Sequence, residues 1–464
     1  MEEQFALLEK NFQQEPYLSV QQRKELLHSL AKLLQKNVAA ITAAINQDFG
    51  YRSADETFTL EIVPNLSAID YCLKQLKHWV QPRKRRLPWY FTGAKAYVFP
   101  QPLGIVGVMV PWNYPLFLAI GPTIFALAAG NRVMIKMSEQ SMHLGKLLEQ
   151  LIANSPLLSQ HIVVINGDLS IAQQFSSLPF AHLLFTGSTQ VGKLVMEAAS
   201  KNLTPVTLEL GGKSPVIVSK TARPALFERI FIGKLFNAGQ TCLASDYLLI
   251  PEGWEQLIET KFSQFMAKRY PNVMTNESYT SIISPNSRAS LLALIEDARA
   301  KGGRIVQFGE ESTASTHHKM PVYLIFNATR DMEVMKKEIF GPILPIITYQ
   351  SMDEVVHLVN SMSKPLALYY FGQDEKEKKR MIEELLSGAT SINDTLSHVA
   401  IHDLPFGGVQ YSGMGEYHGQ EGFDRFSKLK AVFEQSRFSA MSLIYPPVGK
   451  MAKALLSYIS GIKK

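Results

Sequence analysis

The first eighty residues carry apolar side chains at helical spacing. In residues 20–44, leucine, valine and isoleucine recur every three or four positions, and Gly50 follows the end of this pattern. Side chains spaced in this way share one face of a helix. A second helical pattern covers about residues 56–79. We expect Pro64 to kink or split it, because proline lacks the backbone N–H that a helix interior requires.

After residue 90 the pattern changes to short apolar runs that alternate with helical stretches. The segment YVFPQPLGIVGVMVPWNYP indicates strands joined by turns. Further runs that predict strands are RVMIKM (132–137), HIVVIN (161–166), AHLLFT (181–186) and VTLEL (206–210). The helical patterns between them lie near residues 115–129, 141–153, 170–176 and 189–200. Alternation of this kind favours a parallel sheet flanked by helices.

A similar alternation begins again after residue 210. A helical pattern near residues 222–238 leads to Cys242, and further strand–helix pairs follow to about Asn393. No motif recurs at a fixed spacing, so the sequence predicts a second α/β domain rather than an internal repeat. The glycine-rich segment 402–416 predicts an ordered loop that crosses back to the first domain.

Two segments leave alternatives open. PRKRRLPWY (82–90) is typical of a solvated basic loop, and a nucleic-acid-binding patch is the second interpretation. The C-terminal segment SLIYPPVGKMAKALLSYISGIKK has apolar residues at helical intervals and lysines at its end. We interpret it as a helix that packs on its own protein or on a partner subunit, or as one that associates weakly with a membrane surface.

Composition narrows the class of protein. Of 464 residues, 46% are hydrophobic and 19% are charged, which is typical of a globular protein. The net charge of +6 suits an anionic small-molecule ligand and is weak evidence for nucleic-acid binding. The two cysteines, Cys72 and Cys242, exclude a disulfide framework and indicate a reducing compartment. We expect a soluble cytoplasmic protein with no secretory signal and no membrane span, because no apolar run reaches about 18 residues.

Cys242 is the first candidate for chemistry. It ends the segment FNAGQTC, in which the small residues Ala238 and Gly239 interrupt a helical pattern and could present a thiol at the mouth of a cleft. A buried, inert cysteine is the alternative. Glu209 lies 33 residues earlier (242 − 209), inside the apolar strand pattern VTLEL. A carboxylate there is costly to bury unless it is paired, protonated or used, so the two residues are a candidate nucleophile and base.

The turn FTGSTQVGK is a candidate dinucleotide site. It follows the strand AHLLFT and opens a helix, with Gly187 and Gly192 on either side of the turn. The first N–H groups of that helix and the Ser188 hydroxyl would face an anion. The turn is not a GxGxxG motif, so an ordinary strand–helix loop remains the alternative. Lys136 offers donors to ribose or phosphate, and Glu139 is either a ligand of a ribose diol or an ordinary acid in the first turn of a helix.

Taken together, the motifs PWNYP, KMSEQS, FTGSTQVG, LELGGKSP, FNAGQTC, KEIFGP and PFGG resemble the aldehyde dehydrogenase superfamily, over about residues 20–430. The chain is most similar to the class-three group and its bacterial coniferyl aldehyde dehydrogenase branch. The resemblance implies two doubly wound α/β domains, one for the cofactor and one catalytic, plus a small β oligomerisation extension. We expect residues 1–80 and 104–210 in the dinucleotide-binding domain and residues 211–395 in the catalytic domain. Residues 81–103 and 396–464 would form bridging and oligomerisation segments and the C-terminal tail.

The resemblance also implies a reaction that needs no metal. Cys242 would add to an aldehyde, and the Asn113 amide and the Cys242 backbone N–H would stabilise the oxyanion. After hydride transfer to NAD, with NADP also tolerated, Glu209 would activate the water that hydrolyses the thioester. A homodimer is the expected assembly.

The remaining site residues follow from the same resemblance. Lys136 and Glu139 would bind the adenosine ribose, Ser188 the pyrophosphate, and Glu338 the nicotinamide ribose. Phe340 would wall the nicotinamide, and Tyr114 and Phe406 the substrate, with ordinary core packing as the alternative for the two phenylalanines. The chain departs from the family pattern at Met137, where a proline is usual, and at Gln410 and Tyr411, where glycine and asparagine are common.

The leading hypothesis is NAD(P)-dependent oxidation of an aromatic aldehyde, such as coniferaldehyde, or of a medium-chain aliphatic aldehyde to the carboxylic acid. A fatty aldehyde is the alternative substrate. A CoA-acylating reaction is disfavoured, because Glu209 supplies a base for hydrolysis. A cofactor-independent cysteine esterase is the alternative enzyme, although it would leave the dinucleotide turn unused. A basic, non-catalytic binding protein that uses PRKRR is a third hypothesis.

Overall fold

The computed structural model describes residues 1–310, 318–437, 441 and 444–462. Its helices, in chain order, are α1 (Glu2–Gln14), α2 (Val20–Lys36), α3 (Val38–Phe49), α4 (Ala54–Thr57), α5 (Val63–Trp79), α6 (Pro115–Ala129), α7 (Met142–Ala153), α8 (Leu169–Ser176), α9 (Thr189–Ser200), α10 (Phe227–Leu235), α11 (Glu255–Arg269), α12 (Pro285–Ala300), α13 (Glu333–Lys336), α14 (Met352–Asn360), α15 (Glu375–Glu384), α16 (Gly419–Arg425) and α17 (Lys450–Ser460).

The strands are β1 (Arg83–Lys84), β2 (Lys95–Pro102), β3 (Ile105–Met109), β4 (Arg132–Lys136), β5 (Ile162–Ile165), β6 (His182–Gly187), β7 (Val206–Leu210), β8 (Pro215–Val218), β9 (Tyr247–Pro251), β10 (Arg304–Phe308), β11 (Val322–Phe326), β12 (Ile343–Tyr349), β13 (Ala367–Phe371), β14 (Ala389–Ile392), β15 (Gly413–Met414) and β16 (Ser427–Glu434). In the described part of the chain they form three sheets.

The first sheet has the strand order β15-β7-β6-β3-β4-β5. Neighbouring strands in this sheet are parallel, except that β15 runs antiparallel to β7. Strands β3 and β4 are buried along their whole length, as expected of parallel strands covered by helices on both faces. The predicted parallel sheet is therefore confirmed, and β15 shows that segment 402–416 does return to it.

The second sheet has the order β10-β11-β12-β9-β8-β13-β14 and is parallel except where β10 meets β11. The chain leaves the first sheet at the end of β7 and enters the second at β8, so only residues 211–214 separate them. This short link brings the carboxyl end of β7 next to the second sheet. The domain boundaries given above remain a prediction, and the α/β fold class is confirmed.

The third sheet joins distant parts of the sequence. β2 pairs with β1 on one side and with β16 on the other, both antiparallel, and the β2–β16 register runs from Lys95 opposite Glu434 to Pro102 opposite Ser427. β16 is an edge strand with most of its residues exposed.

Three local predictions need correction. Asn37 breaks the helix predicted over residues 20–44 into α2 and α3, and its side-chain amide bonds the Leu33 carbonyl instead of continuing the helix. The acidic N-terminal segment forms α1, which the pattern analysis did not identify. In the predicted basic loop, β1 is a strand, and the Arg83 guanidinium binds the Asp424 carboxylate with both terminal nitrogens.

Other local predictions are confirmed. A π-helical turn at Phe58–Ile62 separates α4 from α5, and Pro64 lies in the first turn of α5, so the second helical pattern is split. The C-terminal helix α17 buries only Ala452 among its described residues. Within the described ranges, each helix is too short or too polar to span a lipid bilayer.

Candidate active site

Cys242 follows a turn with unusual backbone geometry. After α10 ends, three successive residues have positive φ: Asn237 at 54°, Ala238 at 52° and Gly239 at 77°. A left-handed conformation costs a non-glycine residue about 1–2 kcal/mol, so the surrounding structure must hold this turn in place. Cys242 lies just after the turn and is half-buried. The backbone N–H groups of Cys242 and Leu243 face its sulfur.

Glu209 lies in β7 beside the central strand β6, opposite Thr186. Its side chain is buried, with 2% of its surface exposed, and neither carboxyl oxygen has a hydrogen-bond partner in the described part of the protein. Burial raises the pKa of Glu209 well above its usual range; the Glu416 carboxylate adds to this increase and the Arg425 guanidinium opposes it. A buried carboxyl without a partner is costly, which indicates that the group serves a purpose other than stability.

Two cavities meet at Cys242 and Glu209. The first has a volume of about 100 Å³ and the second about 220 Å³. Thr186, Glu209, Leu210 and Cys242 line both cavities. The predicted nucleophile and base are 33 residues apart in the chain, and the structure brings them to one place.

The first cavity is apolar. Besides the four shared residues, its walls are Leu60, Tyr114, Phe117, Leu118, Phe236, Thr241, Leu243, Leu366, Leu396, Val399 and Phe406. Two of these residues, Tyr114 and Thr241, carry hydroxyl groups that hydrogen-bond to each other at 2.8 Å. Both residues predicted to contact the substrate, Tyr114 and Phe406, thus line this cavity.

The second cavity contains most of the predicted cofactor residues. Its remaining walls are Pro111, Trp112, Asn113, Gly187, Ser188, Gly211, Glu338 and Phe340. Phe340 packs edge-on against Trp112, with the ring centres 5.4 Å apart. A cavity of this kind can hold a flat ring and a sugar against the sulfur of Cys242.

Asn113 lies close to the nucleophile segment. Its side-chain amide donates a hydrogen bond to the Gln240 carbonyl at 3.1 Å and is buried. Because an amide nitrogen carries two N–H groups, one donor remains for a ligand in the second cavity.

The start of α9 has the features of an anion site. Ser188 caps the helix by accepting the Val191 N–H at 3.3 Å, and the residue itself is exposed. Gly192 lies so close to β7 that a Cβ atom on it would approach Leu210 Cδ2 to 2.7 Å. The glycine lets the positive end of this helix lie against the sheet beside the second cavity.

Lys136 and Glu139 lie outside the walls of both cavities. Lys136 ends β4 and is buried, and its ammonium group donates to the carbonyls of Met137 and Gly167 at 2.7 and 2.9 Å. Glu139 is exposed. Strand β3 lies between β4 and β6, and all three strands are parallel. Lys136 at the end of β4 and Gly187 at the end of β6 therefore lie at the same, carboxyl-terminal edge of the sheet.

The electrostatics of the site oppose the charged forms of its acids. Burial, with the carboxylates of Glu338 and Glu209 adding to it and two backbone N–H groups opposing it, raises the pKa of Cys242 to about 12. Burial, with Asp246 adding to it, raises the pKa of Glu338 to about 8. Glu338 Oε1 has no hydrogen-bond partner among the described residues, so it is available to a ligand.

A group of three buried charged residues lies next to the site and was not predicted from the sequence. Arg52, Glu56 and Glu61 precede or begin the second helical segment and contact the chain around Asn113 and Asn237. The sequence signal for this group was the spacing of the three charged residues, four and then five positions apart, at the start of a helical pattern that packs on the core.

Comparisons with known proteins agree with this geometry. A family model described as "Aldehyde dehydrogenase family" matches residues 3–432. The chain is 47% identical to a probable coniferyl aldehyde dehydrogenase of Pseudomonas aeruginosa. The match covers 98% of this chain and 95% of the relative. It is 42% identical to a coniferyl aldehyde dehydrogenase of a Pseudomonas species, over 92% of this chain and 89% of the relative. The solved structure of Staphylococcus aureus AldH in a substrate-bound state superimposes with a TM-score of 0.93 at 37% identity and covers 99% of each chain.

Proposed function

The chain belongs to the aldehyde dehydrogenase family, and from this premise we propose which residues oxidise the aldehyde, with which cofactor, and which aldehydes it accepts. The observation that supports the proposal most strongly is that Cys242 and Glu209 lie where an apolar cavity meets a second, more polar one. The apolar cavity holds the aldehyde and the second cavity holds the nicotinamide end of NAD.

Cys242 is the nucleophile. Its thiolate adds to the carbonyl carbon, and the carbonyl oxygen becomes an oxyanion next to the sulfur. The Asn113 amide and the Cys242 backbone N–H donate hydrogen bonds to that oxygen. The product of this step is a thiohemiacetal on Cys242.

The cofactor supplies the acceptor for the hydride that leaves the thiohemiacetal carbon, and a thioester on Cys242 remains. Four features fit a dinucleotide: the exposed Ser188 at the start of α9, the close packing at Gly192, the unpartnered Glu338 Oε1, and the flat wall of Phe340. Lys136 and Glu139 then bind the far ribose at the end of β4. Because Glu139 is acidic and would repel a 2′-phosphate, we propose NAD as the preferred cofactor, with NADP also accepted.

Glu209 is the base of the last step. As a carboxylate it takes a proton from a water molecule, the water oxygen attacks the thioester carbon, and the Cys242 thiolate leaves. Its raised pKa makes the carboxylate a stronger base than that of an exposed glutamate. The proton held by Glu209 passes to the Cys242 thiolate, which restores both the thiol and the carboxylate, and the acid product leaves.

The substrate is a neutral aldehyde with an apolar body. Glu209 is the one ionisable wall residue of the apolar cavity other than Tyr114 and Cys242, and no cation among its walls could pair with a substrate carboxylate. The relatives are named for coniferyl aldehyde and for a 4,4′-diaponeurosporen-aldehyde, both with large apolar parts. Aromatic and medium-chain aliphatic aldehydes are therefore the proposed substrates, and semialdehyde acids are disfavoured. A homodimer that uses the exposed edge of β16 is the proposed assembly.

An aldehyde panel tests this proposal. NADH formation is followed with coniferaldehyde, benzaldehyde, hexanal and succinic semialdehyde, with wild-type protein and with Cys242→Ser. We expect kcat/KM for the first three to exceed that for succinic semialdehyde by at least about 100-fold, because burying an unpaired carboxylate costs several kcal/mol. Cys242→Ser should abolish activity on all of them. Preferred oxidation of the semialdehyde acid, or ester hydrolysis without NAD in place of aldehyde oxidation, would contradict the proposal.

A further inference from the structure

Three buried charged residues lie behind the active site and take no part in the reaction described above. Arg52 and Glu61 have no exposed surface, and Glu56 has 6%. None of them lines either cavity. Moving each charge out of water costs several kcal/mol. The contacts of these three residues therefore indicate which part of the structure they hold in place.

Glu56 contacts the strained turn before Cys242. Its Oε1 accepts the backbone N–H of Asn237 at 3.0 Å, and its Oε2 accepts the Thr280 hydroxyl at 2.6 Å. Asn237 is the first of the three residues with positive φ. The carboxylate therefore holds the residue at which the left-handed turn begins.

Glu61 and Arg52 contact the segment that carries Asn113. Glu61 Oε2 accepts the backbone N–H groups of Leu116 and Phe117, at 2.8 and 3.1 Å, and so occupies the N-terminus of α6. Arg52 Nη1 donates to the Asn113 carbonyl at 2.7 Å and lies 3.1 Å from Glu61 Oε1. The backbone that follows the Asn113 side chain, from its carbonyl to the first turn of α6, is thus fixed.

Two further contacts join the two segments. The Asn237 side-chain amide donates to the Asn113 carbonyl at 3.0 Å and to the Gln240 carbonyl at 3.1 Å. The Arg52 guanidinium lies 4.8 Å from the centre of the Tyr114 ring, and the Tyr114 hydroxyl bonds Thr241, the neighbour of Cys242. These contacts connect the cluster both to Asn113 and to the turn that presents Cys242.

We infer that Arg52, Glu56 and Glu61 are positioning residues, which set the Asn113 amide and the Cys242 thiol at the separation that the oxyanion requires. Glu56 is the central member, because it holds the strained turn. The inference rests on the proposed role of Cys242 as nucleophile. A misplacement of about 1 Å can reduce catalysis by about 100-fold, so small shifts in this cluster have large effects on rate.

Glu56 variants test the inference. Glu56→Ala removes the acceptor for Asn237, and Glu56→Gln keeps one acceptor oxygen without the charge. The control is Asp374→Ala, which removes a carboxylate that accepts two backbone N–H groups at the start of α15 and lines neither cavity. For each variant we would measure kcat, the aldehyde KM, the rate of Cys242 alkylation by iodoacetamide, and the unfolding temperature.

We expect Glu56→Ala to lower kcat by about 100-fold with the aldehyde KM within threefold, and Glu56→Gln to lower it by about tenfold. Alkylation of Cys242 should slow in the same order. Asp374→Ala should leave kcat within twofold while lowering the unfolding temperature. A Glu56→Ala protein that is folded and keeps kcat within threefold of wild type would overturn the inference.

A second substitution separates positioning from general stability. Ala238→Gly removes the steric cost of the left-handed conformation, so in the Glu56→Ala background it should recover about tenfold in kcat. If Glu56→Ala does not fold, Ala238→Gly in the Glu56→Gln background serves the same comparison. Failure of both double variants to exceed their parents would overturn the inference. Activity that persists in Cys242→Ser would instead contradict the proposed function, whereas an inactive Cys242→Ser with fully active Glu56 variants contradicts the positioning role alone.

Discussion

Glu209 is buried and Cys242 is half-buried, in surroundings that favour the protonated forms of both side chains, which the proposed reaction does not use. The pKa of the thiol is raised to about 12 and that of the carboxyl is raised as well, yet the proposed reaction needs a thiolate and a carboxylate. A positive charge in the second cavity, such as an oxidised nicotinamide ring, would stabilise both anions. The raised pKa favours the less nucleophilic thiol in the free protein, and a bound oxidised cofactor would favour the thiolate.

The raised pKa of Glu209 predicts a pH-dependent cost in stability. A carboxyl whose pKa is higher in the folded than in the unfolded protein binds more protons when folded, so the free energy of unfolding falls as pH rises above the unfolded pKa of about 4.5. Each unit of difference in pKa corresponds to about 1.4 kcal/mol. We therefore expect the unfolding temperature of Glu209→Gln, relative to wild type, to increase between pH 5 and pH 8.

Thermal unfolding at several pH values checks this prediction. The control is Glu197→Gln, which alters an exposed carboxyl on α9 and should give a difference that does not change with pH. A constant difference for Glu209→Gln would show that the carboxyl is not destabilised by burial.

At the scale of elements, the start of α9 depends on its contact with β7. A methyl group at position 192 would collide with Leu210, and accommodating one extra carbon in a packed interface costs about 1–3 kcal/mol. If α9 holds the cofactor, Gly192→Ala should raise the KM for NAD by about tenfold, and a smaller change in the aldehyde KM is expected because Leu210 also lines the apolar cavity. Steady-state kinetics with both substrates varied measures this.

A matched glycine serves as control. Gly449 precedes α17 and a Cβ atom on it would meet nothing within 4 Å, so Gly449→Ala should leave both KM values unchanged. An unchanged KM for NAD in Gly192→Ala would mean that the cofactor is held elsewhere.

Elements with a strong local pattern could be predicted from the sequence. The helix over 115–129 and the strand over 206–210 have the predicted bounds, because the apolar period and the flanking proline and glycine are local signals. The break at Asn37 was missed, since one asparagine does not interrupt the apolar period. Strand β1 was missed because it is only two residues long, and because the bond from Arg83 to Asp424 joins residues 341 apart in the chain.

At the scale of the whole molecule, the site exists only because distant segments converge. Glu209 comes from the first sheet, Cys242 from the segment between α10 and strand β9 of the second sheet, and Phe406 from the loop that returns through β15. The motifs let each of these residues be predicted in turn. The Arg52, Glu56 and Glu61 cluster could not be, because a charged residue on a helical pattern is indistinguishable from a solvated one until the tertiary structure buries it.

The central claim is that an acyl group passes through Cys242 and leaves by way of Glu209, and one single-turnover measurement tests it most directly. Glu209→Gln protein is mixed with excess NAD and hexanal, NADH is followed by absorbance, and the protein is then analysed by intact mass and peptide mapping. We expect a burst of about one NADH per active site, slow turnover afterwards, and an acyl adduct on Cys242 with the mass of the aldehyde less two hydrogens. Wild-type protein under the same conditions should show continuous turnover and little adduct. Continuous turnover by Glu209→Gln without an adduct, or an adduct on any residue other than Cys242, would contradict the account.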